Sequence, residues 1–197
     1  MYVSRIEPDD NVRVLSTRVE ELSDRPFHPG PNVARTIQRV IRRGLKEGVI
    51  VRELSSVDDP EEERIRHRRT AGQILVDNYV YQERACVDWV TLFQSVCVAL
   101  GIESQFVYLF YESGDYKRRL HGIVQFQRAD GWFRFDPSSD FDPVPVLRPL
   151  RPGDELPPGT LRWMMVRSVA RDSWAAGVDS AESTKVFGQE LQALRRG

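Results

Sequence analysis

The chain has 197 residues, 41% of them hydrophobic, with 28 Lys+Arg against 29 Asp+Glu and a formal net charge of -1. That length fits one domain spanning 1–197, with enough chain to bury a substantial core. The balanced charge excludes a generally basic nucleic-acid binder and an acidic disordered tail. Two cysteines, Cys86 and Cys97, exclude a disulfide scaffold, and no CxxC pair exists for a zinc ribbon or a thioredoxin-like site. Thiol or imidazole chemistry must therefore draw on Cys86, Cys97, His28, His67 and His121.

The N-terminus lacks an apolar run behind a basic start, so no secretory signal is predicted. No apolar stretch is long enough to span a bilayer. The expectation is a cytoplasmic protein with reduced thiols and no membrane partner.

In chain order, Val12 and Val14 alternate with polar neighbours and predict a short strand. Residues 24–31 hold three prolines and read as a loop. Val33, Ile37, Val40, Ile41, Leu45 and Val49 fall at helical spacing, with Pro31 near the start and Gly48 at the end. The opposite face carries Arg35, Arg39, Arg42, Arg43 and Lys46. With no interleaved aromatic residue it reads as a solvated face, not a nucleic-acid surface.

Asp59 and Pro60 form a strong helix start, followed by Glu61, Glu62 and Glu63 at the positive helix end. This helix is expected to run to about Leu75, with Arg64, Arg66, Arg68 and Arg69 in exposed salt-bridge lacing and His67 solvated among them. Residues 86–100 form the most apolar helix, with Trp89, Val90, Phe93, Val96, Cys97 and Leu100 on a wide stripe and Gly101 as its stop. Cys97 sits on that stripe and reads as core.

The period then changes to two. Residues 105–111 predict an inner strand, residues 112–119 a loop, and residues 120–127 and 132–135 two strands joined as a hairpin at Ala129-Asp130-Gly131. Residues 137–158 hold seven of the twelve prolines and predict an irregular surface stretch. A last strand over 161–169 and a terminal helix over 180–195 complete the chain.

Cys86 lies at the start of the buried helix, where free backbone N–H groups and the positive dipole end favour a thiolate. His121 begins one hairpin strand and Asp136 ends the other. Two plausible registers of an unbulged hairpin both put them on the same sheet face, offset by about two residue pairs at most. A carboxylate can therefore orient the imidazole, and the triad closes if these strands pack on the Cys86 helix.

The run Cys86-Val-Asp-Trp-Val-Thr-Leu-Phe, continuing to Ala99-Leu-Gly-Ile102, resembles the nucleophile helix of transglutaminase-like cysteine enzymes, the papain-like Cys-His-Asp group. Asp88, Leu92, Phe93, Gly101 and Ile102 match its pattern. His121-Gly-Ile-Val-Gln-Phe and Gly131-Trp-Phe-Arg-Phe-Asp-Pro137 resemble the family's His strand and its closing Trp…Asp-Pro strand. The resemblance covers about residues 85–137, roughly a quarter of the chain.

It implies an α+β, transglutaminase-like/cysteine-proteinase fold, with a central nucleophile helix packed on an antiparallel sheet and a catalytic core over about 60–140. It implies Cys86 as nucleophile, His121 as general base and acid, and Asp136 as orienter. The implied reaction is acyl transfer at an amide bond of a protein or peptide through a thioester, as a protease, amidase or deamidase, and less readily as a cross-linking enzyme. No metal or other cofactor is called for. The oxyanion candidate is Gln82, with Tyr79 or Tyr81 as substitutes. Trp132 and Arg84 are substrate-cleft candidates.

Arg84 stands where the family usually has glycine, and Gly122-Ile123 where it commonly has Ala-Trp. Arg84 motivates a rival reading, a catalytically inactive scaffold that uses the cleft for binding. Asp88 reads as a first-turn helix carboxylate, and Asp140 and Asp142 as candidate cation ligands without a supporting spacing.

Overall fold

A computed structural model of the chain describes residues 4–23, 30–45, 51–52, 59–82, 85–157 and 161–194. It is α+β: helices gather on one face of a five-stranded antiparallel sheet. The first helix, α1, spans Asp10–Glu21, where the sequence predicts a strand. Val12 and Val19 are buried with Leu15, and these positions repeat at helical spacing over about two turns, whereas Val14 is exposed. Asp9 accepts the Val12 N–H at 3.0 Å and caps the helix.

Gly72 makes that cap possible. A Cβ at position 72 would lie 1.7 Å from Asp9 Oδ2, so any side chain there displaces the capping carboxylate. Gly72→Ala is expected to lower stability by about 1 kcal/mol, the worth of a lost N-cap. Urea unfolding checks this, and an unchanged midpoint would show that the cap adjusts freely.

Helix α2 (Val33–Gly44) buries Val33, Ala34, Ile37, Val40 and Ile41 together with one polar residue, Gln38. It ends at Leu45, ahead of the predicted stop Gly48, which lies outside the described residues. The predicted loop over 24–31 falls largely outside them as well. A two-residue strand, β1 (Val51–Arg52), pairs in parallel with β2 (Val80–Tyr81).

The single helix expected from Pro60 to about Leu75 is two helices, α3 (Pro60–Arg68) and α4 (Ala71–Asp77). Asp59 and Pro60 start α3 as predicted. The break comes from Thr70, whose hydroxyl accepts the Gln73 N–H while the Gln73 side chain accepts the Thr70 N–H, a capping box that restarts the helix. Of the expected exposed lacing, the pair Glu61–Arg64 is present, at 2.6 Å. His67 is not solvated but 2% exposed, and its backbone carbonyl accepts the Trp174 indole N–H at 2.7 Å. Glu62 and Arg69 are buried too.

Helix α5 (Ala85–Ala99) is the centre of the molecule. Every residue from Val87 to Cys97 is buried, so the helix is enclosed on all sides. Gly101, at φ +69°, ends it: Ile102 N–H bonds Cys97 C=O at 2.8 Å and Gly101 N–H bonds Val98 C=O at 3.1 Å.

The sheet follows: β3 (Ser104–Glu112), β4 (Arg118–Arg128), β5 (Gly131–Phe135), β6 (Val144–Val146) and β7 (Trp163–Ala170), in the order β6-β5-β4-β3-β7. Helix α6 (Ala181–Ala193) closes the described chain and sets Phe187 on Tyr108. Strand alternation sorts the side chains. Phe106, Tyr108, Phe110, Val124, Phe126, Phe133 and Phe135 join the α5 core, while Val107, Leu109, Ile123 and Val166 meet Leu150 and Leu156 on the other face. The proline-rich stretch thus supplies β6 and part of the cover of the second face. No helix among the described residues is long and apolar enough to cross a membrane.

Candidate active site

The β4–β5 register pairs Arg128 with Gly131 and ends where Val124 meets Phe135. The β4 edge at His121 and Gly122 therefore carries no β5 partner. Cys86 meets β4 there. The His121 ring and the Gly122 backbone N–H act there on its sulfur and lower its thiol. Gly122 lies on the α5 face, where a Cβ would stand 3.1 Å from the Phe106 ring and 3.8 Å from Val87, so a side chain there would crowd the Phe106 ring while only touching the first turn of α5.

Asp136 leaves the sheet just past Phe135 and turns back on His121. Its Oδ2 lies 2.7 Å from His121 Nε2, which leaves Nδ1 as the ring nitrogen for Cys86. The other carboxylate oxygen, Oδ1, accepts the Ser138 N–H at 2.9 Å and the Ser138 hydroxyl at 2.6 Å. The structure thus brings Cys86, His121 and Asp136 into one chain of contacts. The His121 side chain keeps 27% of its surface in solvent, so the site is open on one side.

The electrostatics follow from these contacts. Burial pushes the Cys86 thiol up, but the His121 hydrogen bond and charge, with the Gly122 N–H, outweigh it and hold the thiol below its ordinary range. Burial disfavours the His121 imidazolium, yet the bonds to Asp136 and Cys86 raise it well above the usual imidazole range. Burial likewise opposes ionisation of Asp136, while His121 and Ser138 hold its carboxyl below the carboxylate norm. All three shifts favour a thiolate–imidazolium pair backed by a carboxylate. Cys97, buried in the α5 core, has its thiol pushed strongly upward and is chemically quiet.

Other sequence candidates lie elsewhere. Trp132 pairs with Gln127 and Val146, six residues along β4 from His121, or about 20 Å. The structure therefore does not bring Trp132 to Cys86. Tyr81 is buried, and its hydroxyl donates to Glu62 Oε2 at 2.8 Å, so it is engaged away from the sulfur. Tyr79 stacks under Arg69, with 4.4 Å from guanidinium carbon to ring centroid, and its hydroxyl lies 3.4 Å from that of Tyr81. Gln82 is exposed four residues before Cys86. Arg84 and His28 lie outside the described residues.

Asp88 is more than a first-turn carboxylate. It is buried between Arg5, at 3.1 Å, and Arg69, at 2.6 Å, and accepts the Tyr81 N–H at 3.3 Å. Asp140 and Asp142 are paired with Arg42 and Arg35, each at 2.9 Å, so these carboxylates serve cationic side chains of α2. Among the described residues there is no cluster of three His, Cys, Asp or Glu suited to a metal ion.

Sequence reasoning missed several residues around the site. Tyr111 sets its ring edge-on to His121, 6.2 Å between centroids, and walls the imidazole. It sits in the predicted inner strand and nothing local distinguishes it. Ser138 holds Asp136, and its signal was an Asp-x-Ser spacing suited to an Asx turn. Gln38 was detectable as a polar residue on the apolar stripe of α2.

No family model matches the chain, and no curated protein does. Among solved structures it is similar to a candidate cysteine protease from Cytophaga hutchinsonii, at 15% identity and a TM-score of 0.39, over 89% of this chain and 52% of that one. It is also similar to a TGase, at 10% identity and a TM-score of 0.45, over 94% of this chain and 50% of that one. The chain spans about half the length of each structure it matches.

Proposed function

We propose that the protein is a cysteine-dependent acyl-transfer enzyme that opens amide bonds of a protein or peptide through a thioester on Cys86. One observation carries this reading: the contact chain from Cys86 through His121 to Asp136, with the thiol lowered and the imidazole raised. A buried structural cysteine has the opposite shift, as Cys97 has. The Cys86 thiolate attacks the carbonyl carbon, and the C–S bond forms as the carbonyl electrons move to oxygen. The Cys86 N–H, in the first turn of α5, has no intrahelical acceptor and is a candidate donor to that oxygen, with Gln82 as its proposed partner. When the tetrahedral species collapses, His121 gives its proton to the leaving amine. His121 then takes a proton from water, or from a second amine, which attacks the thioester and frees the thiol. Asp136 keeps the ring oriented through both halves.

The test is alkylation of the folded protein by iodoacetamide, with mass spectrometry reading the two cysteines separately. Cys86 is expected to react with an apparent titration below that of a model thiol, while Cys97 stays unmodified. A peptide ester should leave an acyl group on Cys86 that hydroxylamine removes, and Cys86→Ser should leave none. Alkylation no faster than the model thiol, together with no acyl-enzyme, would show that the site is a binding cleft and not a nucleophile.

A further inference from the structure

The segment that carries Asp136 has little apolar anchorage. Between Pro137 and Leu150 no side chain is buried, and Phe141 and Leu147 stand in solvent. Pro137 is buried and β6 is held by its pairing with β5 and by Val146, but hydrophobic burial does not fix residues 138–143 between them, and Asp136 must keep a 2.7 Å contact with His121. The fixing contacts come from polar side chains of α2. Gln38 is only 4% exposed, and its Nε2 donates to the carbonyls of Pro137, at 2.8 Å, and Ser139, at 2.6 Å. Those carbonyls flank Ser138, the residue that holds Asp136 Oδ1. Arg35 orients Gln38 by donating to its Oε1 at 2.8 Å, and donates further to Asp142 Oδ1 and the Asp140 carbonyl. Arg42 donates to Asp140 Oδ1 at 2.9 Å. The guanidinium of Arg35 also lies over Phe135, the last residue of β5. Two of the five basic residues read as a solvated face are thus turned onto this loop.

We infer that Gln38, oriented by Arg35, is a positioning residue for the site: α2 grips the turn at 137–139 and so sets the Asp136–His121 contact. This rests on the acyl-transfer reading, since only a working triad makes that contact matter for Cys86. The carboxamide suits the task because one NH₂ group supplies two donors to two carbonyls, and its oxygen accepts from Arg35. Leucine has similar size and no donor, so Gln38→Leu leaves both carbonyls and the Arg35 guanidinium without these partners.

The readout is the pH profile of Cys86 alkylation by iodoacetamide. In Gln38→Leu the thiol titration is expected to rise, so alkylation on the acid side of the wild-type titration falls about tenfold while the rate at alkaline pH, where the thiol is fully ionised, is unchanged. Ile37→Ala, fully buried on the same helix and with no side-chain donor for these carbonyls, is the control for general loosening of α2. It should lower the urea midpoint and leave the profile in place. Should Gln38→Leu fail to fold, Arg35→Met with Arg42→Met removes the outer contacts, and the same shift is expected at about threefold. An unmoved profile in the Gln38 or double-arginine variant, or an equal shift in Ile37→Ala, overturns the inference. Asp136→Asn separates the two ideas. If it shifts the profile and Gln38→Leu does not, the positioning role alone fails. If Asp136→Asn leaves the profile unmoved, the triad reading fails first.

Discussion

His121→Ala is expected to slow acylation of Cys86 by about 10²–10⁴-fold, the usual worth of a positioned general acid and base. The variant should also reverse the sign of the thiol's shift. In the native site, burial pushes Cys86 up and His121 pulls it below its ordinary range. Without the imidazole, burial and the Asp136 charge push the thiol up against the Gly122 N–H alone, and burial is the largest of the three. Alkylation in neutral solution should therefore drop below that of a model thiol. The native pH dependence follows from the same two groups. The ion pair exists above the lowered thiol titration and below the raised imidazole titration. Acylation should fall on the acid side, as Cys86 takes a proton, and on the alkaline side, as His121 loses the proton that the leaving amine needs. The stability contribution has its own sign. The raised His121 stabilises the fold below the unfolded imidazole range and ceases to do so as pH rises through its folded titration. An acylation rate within threefold of wild type in His121→Ala would remove the imidazole from the mechanism, even if Cys86 remained reactive.

Much of this site was legible because its signals are local. The apolar stripe of α5 marked a buried helix, the stop at Gly101 marked its end, and the period of two from Phe106 onward marked the sheet. Hairpin parity then put His121 and Asp136 on one side, and the observed pairing of Arg128 with Gly131 is one of the two registers considered. What failed was decided by distant contacts or by competing local patterns. Val12 and Val14 alternate over three residues, but Asp9, Val12, Leu15 and Val19 together encode a capped helix. His67 sits in a run of charges, yet Trp174, more than a hundred residues later, packs on its carbonyl. Arg35 and Arg42 look solvated because their partners, Asp140 and Asp142, lie a hundred positions away. Gln38 and Thr70 differ from these. A glutamine on an apolar helical stripe and a Thr-x-x-Gln capping box are local signals, and reading them would have located the grip on the Asp136 turn and the break between α3 and α4.

The largest expected loss of stability comes from Asp88, two residues along α5 from Cys86. Asp88, Arg5 and Arg69 are each between 1% and 3% exposed. Arg5 also donates to the Arg69 carbonyl at 2.7 Å and to Ser173 at 2.9 Å, and Arg69 to the Tyr79 carbonyl at 3.2 Å. One carboxylate therefore joins the N-terminal segment, the α3–α4 break, the strand before α5 and the first turn of α5. Burial already depresses Arg5, and the Asp88 charge is the leading opposing effect. Removing it leaves two buried guanidiniums close together with their main counter-charge gone. Breaking such a group by deleting one member costs about 3–5 kcal/mol, whereas the intact group contributes far less net stability. Asp88→Asn, which keeps volume and loses charge, is expected to lower stability by that amount. In a chain of this length that corresponds to a fall in Tm of roughly 6–20 °C. Arg5→Met should cost less, because the carboxylate keeps Arg69 and the Tyr81 N–H. If Asp88→Asn shifts Tm by less than about 2 °C, the network is solvated and does not anchor α5. The same variants bear on the chemistry. Asp88 lies two residues from Cys86, so loss of its anchorage should raise the thiol titration only through movement of the first turn of α5. Arg5→Met, with the carboxylate still tied to Arg69 and the Tyr81 N–H, should then alkylate at Cys86 as wild type does.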